Sequence, residues 1–121
     1  MNANHTTTAA QNARNAQTAA QLAKAARNAR FVWSARHGVT RIDGTSPNVI
    51  MDCVRDLLEH TASELEVGDL ESADASLLLA WEQLMYVLET IGRRPGSEKI
   101  RELKPALRQL AKAAVGLKVQ G

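Results

Sequence analysis

Leu70 to Ile91 reads LESADASLLLAWEQLMYVLETI, and its apolar spacing decides the fold. Leu70, Ala73, Leu77, Ala80, Leu84, Val87 and Ile91 recur at steps of three and four. That spacing lays one apolar row down one side of an α-helix. Leu78, Trp81, Met85 and Leu88 form a second row beside it. A helix with so wide an apolar face is expected at the centre of a bundle, against more than one neighbour.

Working outward, Gly44-Thr45-Ser46-Pro47 reads as a helix start, with Ser46 as N-cap and Pro47 at the first helical position. Ile50, Val54, Leu57, Leu58, Thr61 and Leu65 share a face, which predicts a helix over 47–66. Gly68 suits a left-handed stop, and Asp69 can cap the helix that follows. So short a connection makes the two helices antiparallel neighbours. Gly92 ends the central helix, and Arg93-Arg94-Pro95-Gly96 is a turn. Ser97 can cap a last helix, along which Ile100, Leu103, Leu107, Leu110, Ala114 and Leu117 repeat the same step. Pro105 lies inside it. A kink is expected there, or a break between 98–103 and a second helix from Lys104.

The N-terminal third differs. Met1 to Thr8 is polar, has nothing to bury and is expected to be a disordered tail. Ala9, Ala13, Ala16, Ala20 and Ala23 make one small-residue row, and Ala19, Leu22, Ala26 and Ala29 another. Alanine favours helix but buries little area, so a basic, Ala-rich helix over 9–30 can pack closely yet contributes little hydrophobic energy. Phe31-Val32-Trp33 and Val39-Thr40-Arg41-Ile42 have strand-like composition, so 31–43 is read as a short hairpin or an extended linker, and 31–46 as the connection. The expected fold is all-α: an antiparallel bundle of three core helices over 47–117, preceded by the Ala-rich helix.

A chain of 121 residues is one domain's worth and can bury a core without metals or disulfides. Its single cysteine, Cys53, forms no internal bridge. There is no apolar run long enough for a membrane span. A cytoplasmic location is expected, and the high Ala and Arg content fits a bacterial or phage genome. The net charge of +2 conceals three blocks. Residues 1–42 carry +6 with no acid, residues 43–92 carry −10, and residues 93–121 carry +6. Such blocks imply either basic ends lying over an acidic middle or basic ends meeting an external polyanion.

Candidate chemistry is sparse. Arg27 to Arg41 reads RNARFVWSARHGVTR. Arginines around aromatic rings suit unpaired nucleic acid, which makes Arg14, Lys24, Arg27, Arg30, Phe31, Trp33, Arg36 and Arg41 candidate contacts. The competing reading has Phe31 and Trp33 plugging the end of the bundle. Arg101, Lys104, Arg108 and Lys112 share one side of the last helix, a row that suits a phosphate backbone but is more often the solvated face of an amphipathic helix. Cys53, Asp56, His60 and Glu64 share an edge of the second helix, but Cys53 and His60 stand two turns apart, roughly 10 Å. No HExxH, CxxC, GxSxG or Gly-rich phosphate loop is present. No catalytic residue, metal or cofactor is expected. The reading is a non-enzymatic interaction module, a small bacterial or mobile-element accessory or regulatory protein that binds another protein. Leu70, Leu77, Leu78, Trp81 and Met85 are its candidate interface. A homodimer is expected, because two or three helices do not easily cover both the apolar excess of the central helix and the small-residue stripe of the first. A nucleic-acid-binding regulator is the alternative.

Overall fold

Thr8 opens the first helix with a capping box: its Oγ1 accepts from the Gln11 amide at 3.0 Å, and its amide donates to Gln11 Oε1 at 3.3 Å. The computed structural model describes residues 8–115, and four helices make up most of them. They are α1 (Ala9–His37), α2 (Pro47–Glu66), α3 (Leu70–Ile91) and α4 (Glu98–Val115). No strand occurs among the described residues. The expectations for residues 1–7 and for Leu117 lie outside them.

Each helix packs on its chain neighbours, and α1 also packs on α4. The four therefore close a ring in the order α1, α2, α3, α4, with α1–α3 and α2–α4 as diagonals. Side-chain contacts fix the directions. Arg30 and Ser34 near the end of α1 meet Asp52 and Asn48 near the start of α2. Ser76 in α3 donates to Glu64 late in α2 at 2.8 Å. Arg108 of α4 lies over the Trp81 ring of α3, and Asn15 of α1 reaches the Ala113 carbonyl of α4. The result is an up-down-up-down bundle with short loops.

The punctuation read from the sequence performs as expected at three ends. Ser46 Oγ accepts from the Val49 amide at 3.4 Å, with Pro47 at the start of α2. Asp69 Oδ1 accepts from the Ser72 amide at 3.1 Å. Gly92 closes α3 with φ +58°. Arg94 and Arg101 donate to the carbonyls of Ile91 and Gly92 at 2.9 and 3.3 Å, so cations satisfy the acceptors that α3 leaves open there.

Two expectations are corrected. The first helix does not end at 29 or 30, and 31–43 is neither hairpin nor plain linker. Residues 31–37 continue α1 for two more turns. The row Ala19, Leu22, Ala26, Ala29 simply gains Trp33, the next member at the same step, and all five are buried. Burial of the largest side chain in the chain outweighs the β preference of Phe31-Val32-Trp33. His37 then stacks on Trp33 with ring centroids 3.9 Å apart, and its Nε2–H donates to the Pro95 carbonyl at 2.6 Å. The end of α1 is thereby tied to the α3–α4 loop. What remains of the hairpin is a two-residue turn. Ile42 and Thr45 exchange backbone bonds of 2.8 and 2.9 Å around Asp43 and Gly44, both at positive φ, the pairing that Asp-Gly favours. The second correction concerns Pro105: α4 runs through it as one helix rather than breaking at Lys104.

The core is continuous through all four helices. From α3 come Ala73, Leu77, Ala80, Leu84, Val87 and Ile91, the row that organised the sequence reading. From α4 come Ile100, Leu103, Leu107, Leu110, Ala111 and Ala114. α1 contributes seven buried residues, five of them alanine.

Candidate interaction surface

Of the five apolar residues proposed for an interface, the fold uses two internally. Leu77 is fully buried, and Trp81 is covered by its neighbours and by the Arg108 guanidinium 5.4 Å from its ring. Leu70 is half-buried. Met85 and Leu88 are half-buried and Leu78 is 43% exposed, so the second row reaches the surface everywhere except at Trp81.

The eight candidate nucleic-acid contacts do not form one track. Trp33 is in the core and offers no face to a base. Arg30 pairs with Asp52 at 2.9 Å across the α1–α2 seam. Arg41 donates to the Gly44 carbonyl at 3.3 Å in its own turn. Arg14, Lys24, Arg27 and Arg36 are exposed along α1. At about 100° per residue, Arg14 and Arg27 point roughly 140° apart, and Arg14 and Arg36 are separated by about 33 Å of helix. Phe31 is 55% exposed beneath the Arg27 guanidinium, 5.7 Å from its ring centroid.

Tertiary structure sorts the charge blocks by side. α1 carries five cations and no acid, α2 and α3 each carry a net −4, and α4 carries a net +3. Because the ring order is α1, α2, α3, α4, the acidic pair is adjacent and so is the basic pair. Of the ion pairs within 4 Å, Arg30–Asp52 joins a basic helix to an acidic one; Arg55–Asp56 and Lys99–Glu102 stay within a helix.

Two outer faces of this arrangement stand out. On the α2–α3 face, Cys53, Asp56, Leu57, His60, Leu79 and Gln83 line an open cleft of about 330 Å³. Leu79 is 48% exposed, and Tyr86, two turns further along α3, is 51% exposed. Tyr86 is held by a 2.8 Å hydrogen bond between its hydroxyl and that of Thr45. Val49 and Cys53 continue the apolar strip one turn apart on α2, and both are exposed. The edge of α2 singled out by sequence is thus half right. Cys53, Asp56 and His60 line this cleft together, whereas Glu64, one turn beyond His60, accepts from Ser76 of α3. His60 donates its Nδ1–H to the Asp56 carbonyl at 2.8 Å, which orients its ring along the helix.

On the α3–α4 face, Leu78 and Met85 lie between two charged rows. Glu71, Asp74, Glu82 and Glu89 run along α3 and are exposed. Arg101, Lys104, Arg108 and Lys112 run along α4 on the flank beside α3. That placement is fixed by Arg108 over Trp81 and by Arg101 and Lys104 lining a cleft with Leu88 and Gly92. The sequence reading left this α4 row as a solvated face without a neighbour.

Leu79 and Tyr86 were missed because they fall outside both apolar rows of α3. The signal for Leu79 was the run Leu77-Leu78-Leu79, since three consecutive leucines on a helix cannot all face one core, and Tyr86 follows it seven residues on, on the same side. No helix among the described residues is long and apolar enough to cross a membrane. Neither a protein-family model, nor a curated protein, nor a solved structure matches the chain.

Proposed function

We propose that the chain is a non-enzymatic helical interaction module that acts by binding another protein, an accessory or regulatory role, through its α2–α3 face. The observation that carries this reading is the exposure of Leu79 at a cleft that it lines with Leu57 and Cys53, with Tyr86 exposed two turns further along α3, on the acidic side of the bundle. Large apolar side chains gathered around an open cleft lose contact with water when a partner covers them. Asp56 in the cleft lining favours a partner that brings cations. A groove between two helices takes a third helix, with apolar anchors spaced at three, four and seven residues. The partner is therefore a basic amphipathic helix.

The test is titration of a fluorescent Leu/Lys amphipathic peptide, with a Leu/Glu peptide of equal hydrophobicity as control. Saturable binding of the basic peptide alone, lost in Leu79→Asp while the circular dichroism spectrum is unchanged, supports the reading. Equal binding of both peptides, or binding indifferent to Leu79→Asp, rejects it.

One observation favours a second reading, a nucleic-acid-binding regulator: Phe31 is exposed with Arg27 above its ring and Lys24 nearby on the same helix. An exposed ring beside cations can stack on an unpaired base. Binding of single-stranded DNA or RNA that falls steeply with salt and is abolished in Phe31→Ala would transfer the proposal to α1.

A further inference from the structure

The α3–α4 face carries four acids on one helix and four cations on the other, with apolar side chains between them. Glu71, Asp74, Glu82 and Glu89 line α3, and Arg101, Lys104, Arg108 and Lys112 line α4. Leu78 is exposed, and Met85 and Leu88 are half-buried, along the strip that separates Glu71, Glu82 and Glu89 from the cationic row, with Asp74 on the α4 side of Leu78. Such a face suits neither a uniformly basic nor a uniformly acidic partner, since one row would be repelled by either.

It is complementary to itself. A two-fold axis parallel to the bundle and running along the α3–α4 groove places α3 of one copy against α4 of the other, and the reverse. An axis in that direction also keeps every residue at its own height. Trp81 lies level with Arg108, and Leu88 level with Arg101 and Lys104. Glu82 of one copy then comes opposite Lys104 and Arg108 of the other, and Glu89 opposite Arg101. Asp74 comes opposite Lys112. Leu78 and Met85 of the two copies meet near the axis. The alternative two-fold, perpendicular to the helices, would set cations against cations and is disfavoured by charge alone.

We infer that the chain forms a homodimer through its α3–α4 face, held by the acidic row of each α3 against the cationic row of the partner's α4 around a central strip of Leu78 and Met85. The inference uses a different face from the α2–α3 cleft, which stays open in such a dimer. α4 is 18 residues long, about 27 Å at 1.5 Å per residue. A face of that length and two helices' width buries on the order of 500 Å² per copy, at the lower end for a specific interface. The dimer is accordingly weak, and its rim of charge makes it salt-sensitive.

The test is sedimentation equilibrium of the full chain across concentration and salt, together with two reversal variants. One is Lys104→Glu with Lys112→Glu; the other is Glu82→Lys with Glu89→Lys. The wild type is expected at twice its 13.1 kDa mass at tens of micromolar, with affinity falling about tenfold or more between low and high salt. Each variant alone sets like charges face to face and is expected to be monomeric. Mixed in equal amounts, the two are expected to pair, because each then offers the row that the other lacks. A purely structural defect would not be cured by mixing. A wild type that stays monomeric, variants that dimerise like the wild type, or a mixture that stays monomeric would each overturn the proposal. Binding of the Leu/Lys peptide by the Lys104→Glu, Lys112→Glu variant, which leaves the α2–α3 cleft untouched, would show that the two readings stand or fall separately.

Discussion

α1 and α3 are both long, and both supply buried rows at steps of three and four, yet they do so with opposite materials. α1 buries Ala16, Ala19, Ala23, Ala26 and Ala29, with Leu22 and Trp33 the two large exceptions. α3 buries Leu77, Trp81, Leu84, Val87 and Ile91, with Ala73 and Ala80 between them. Alanine lets backbones approach but removes little area from water; leucine does the reverse. One core therefore contains a close seam, which tolerates no added volume, and a thick seam, which tolerates no loss. The contrast also explains why α1 ends where it does. A helix that buries mainly methyl groups needs an anchor, and Trp33, stacked on His37 and tied through it to Pro95, provides one.

The largest effect expected is at that anchor. Trp33→Ala removes the biggest fully buried side chain and should cost about 3–5 kcal/mol, read as a fall in the urea midpoint. If the loss is small, α1 is held by its alanines and the contrast fails. Leu84→Ala in the thick seam should cost about 2–5 kcal/mol. Ala26→Leu in the close seam adds volume where none is free and should cost about 1–3 kcal/mol. A stabilising Ala26→Leu would show the α1 seam to be underfilled rather than close. Thr8→Ala, which removes the capping box, should cost about 0.5–2 kcal/mol, with hydrogen exchange rising in the first turn of α1 only.

The smallest effect is a pH dependence at helix starts. The Asp69 carboxylate is held below its ordinary pKa by hydrogen bonds from Ser72. Glu98 is held below its own by its backbone amide and then by that of Gly96, with Arg101 and Arg36 adding attraction. A depressed carboxylate pKa contributes stability that is complete above the unfolded-state value and is lost as pH falls through the folded-state value. The thermal midpoint should therefore decline on the acid side, and Asp69→Asn should flatten that limb slightly by lowering the midpoint at neutral and alkaline pH while leaving its acid value unchanged. Both groups are at the surface, so the change is modest.

Much of the fold was legible for reasons that the contrast makes plain. The rows of α2, α3 and α4 alternate large apolar with polar residues, so their periodicity is loud. Their ends carry residues with one physical task each: Ser46 and Asp69 as acceptors, Gly92 at positive φ. α1 offers little contrast between its sides, since alanine occupies both the buried row and exposed positions such as Ala9, Ala13 and Ala20. Its C-terminal boundary is marked only by composition, and Phe31-Val32-Trp33 has the composition of a strand although it is helical. The step from Ala29 to Trp33 was the better guide. The Thr8-Ala9-Ala10-Gln11 box was also present in the sequence and was hidden by reading Met1 to Thr8 as tail.

The candidate surfaces were less legible, because a surface is a relation between helices. That Leu78 and Met85 would be left over was visible as an excess of apolar residues on α3. Which side they face was not, nor that Leu79 would share a cleft with Cys53 and Leu57. Sequence alone determined an all-α chain, the helix starts and stops from Ser46 onward, the antiparallel run of α2 and α3, and the three charge blocks. Those follow from local periodicity, capping and counting, which need no knowledge of distant neighbours. Only the tertiary structure decided that Trp33 is core, that the acidic helices are adjacent, and that the cations of α4 lie beside the acids of α3. Each of these depends on which helix stands next to which, and that order is set by how four unequal faces close around one core.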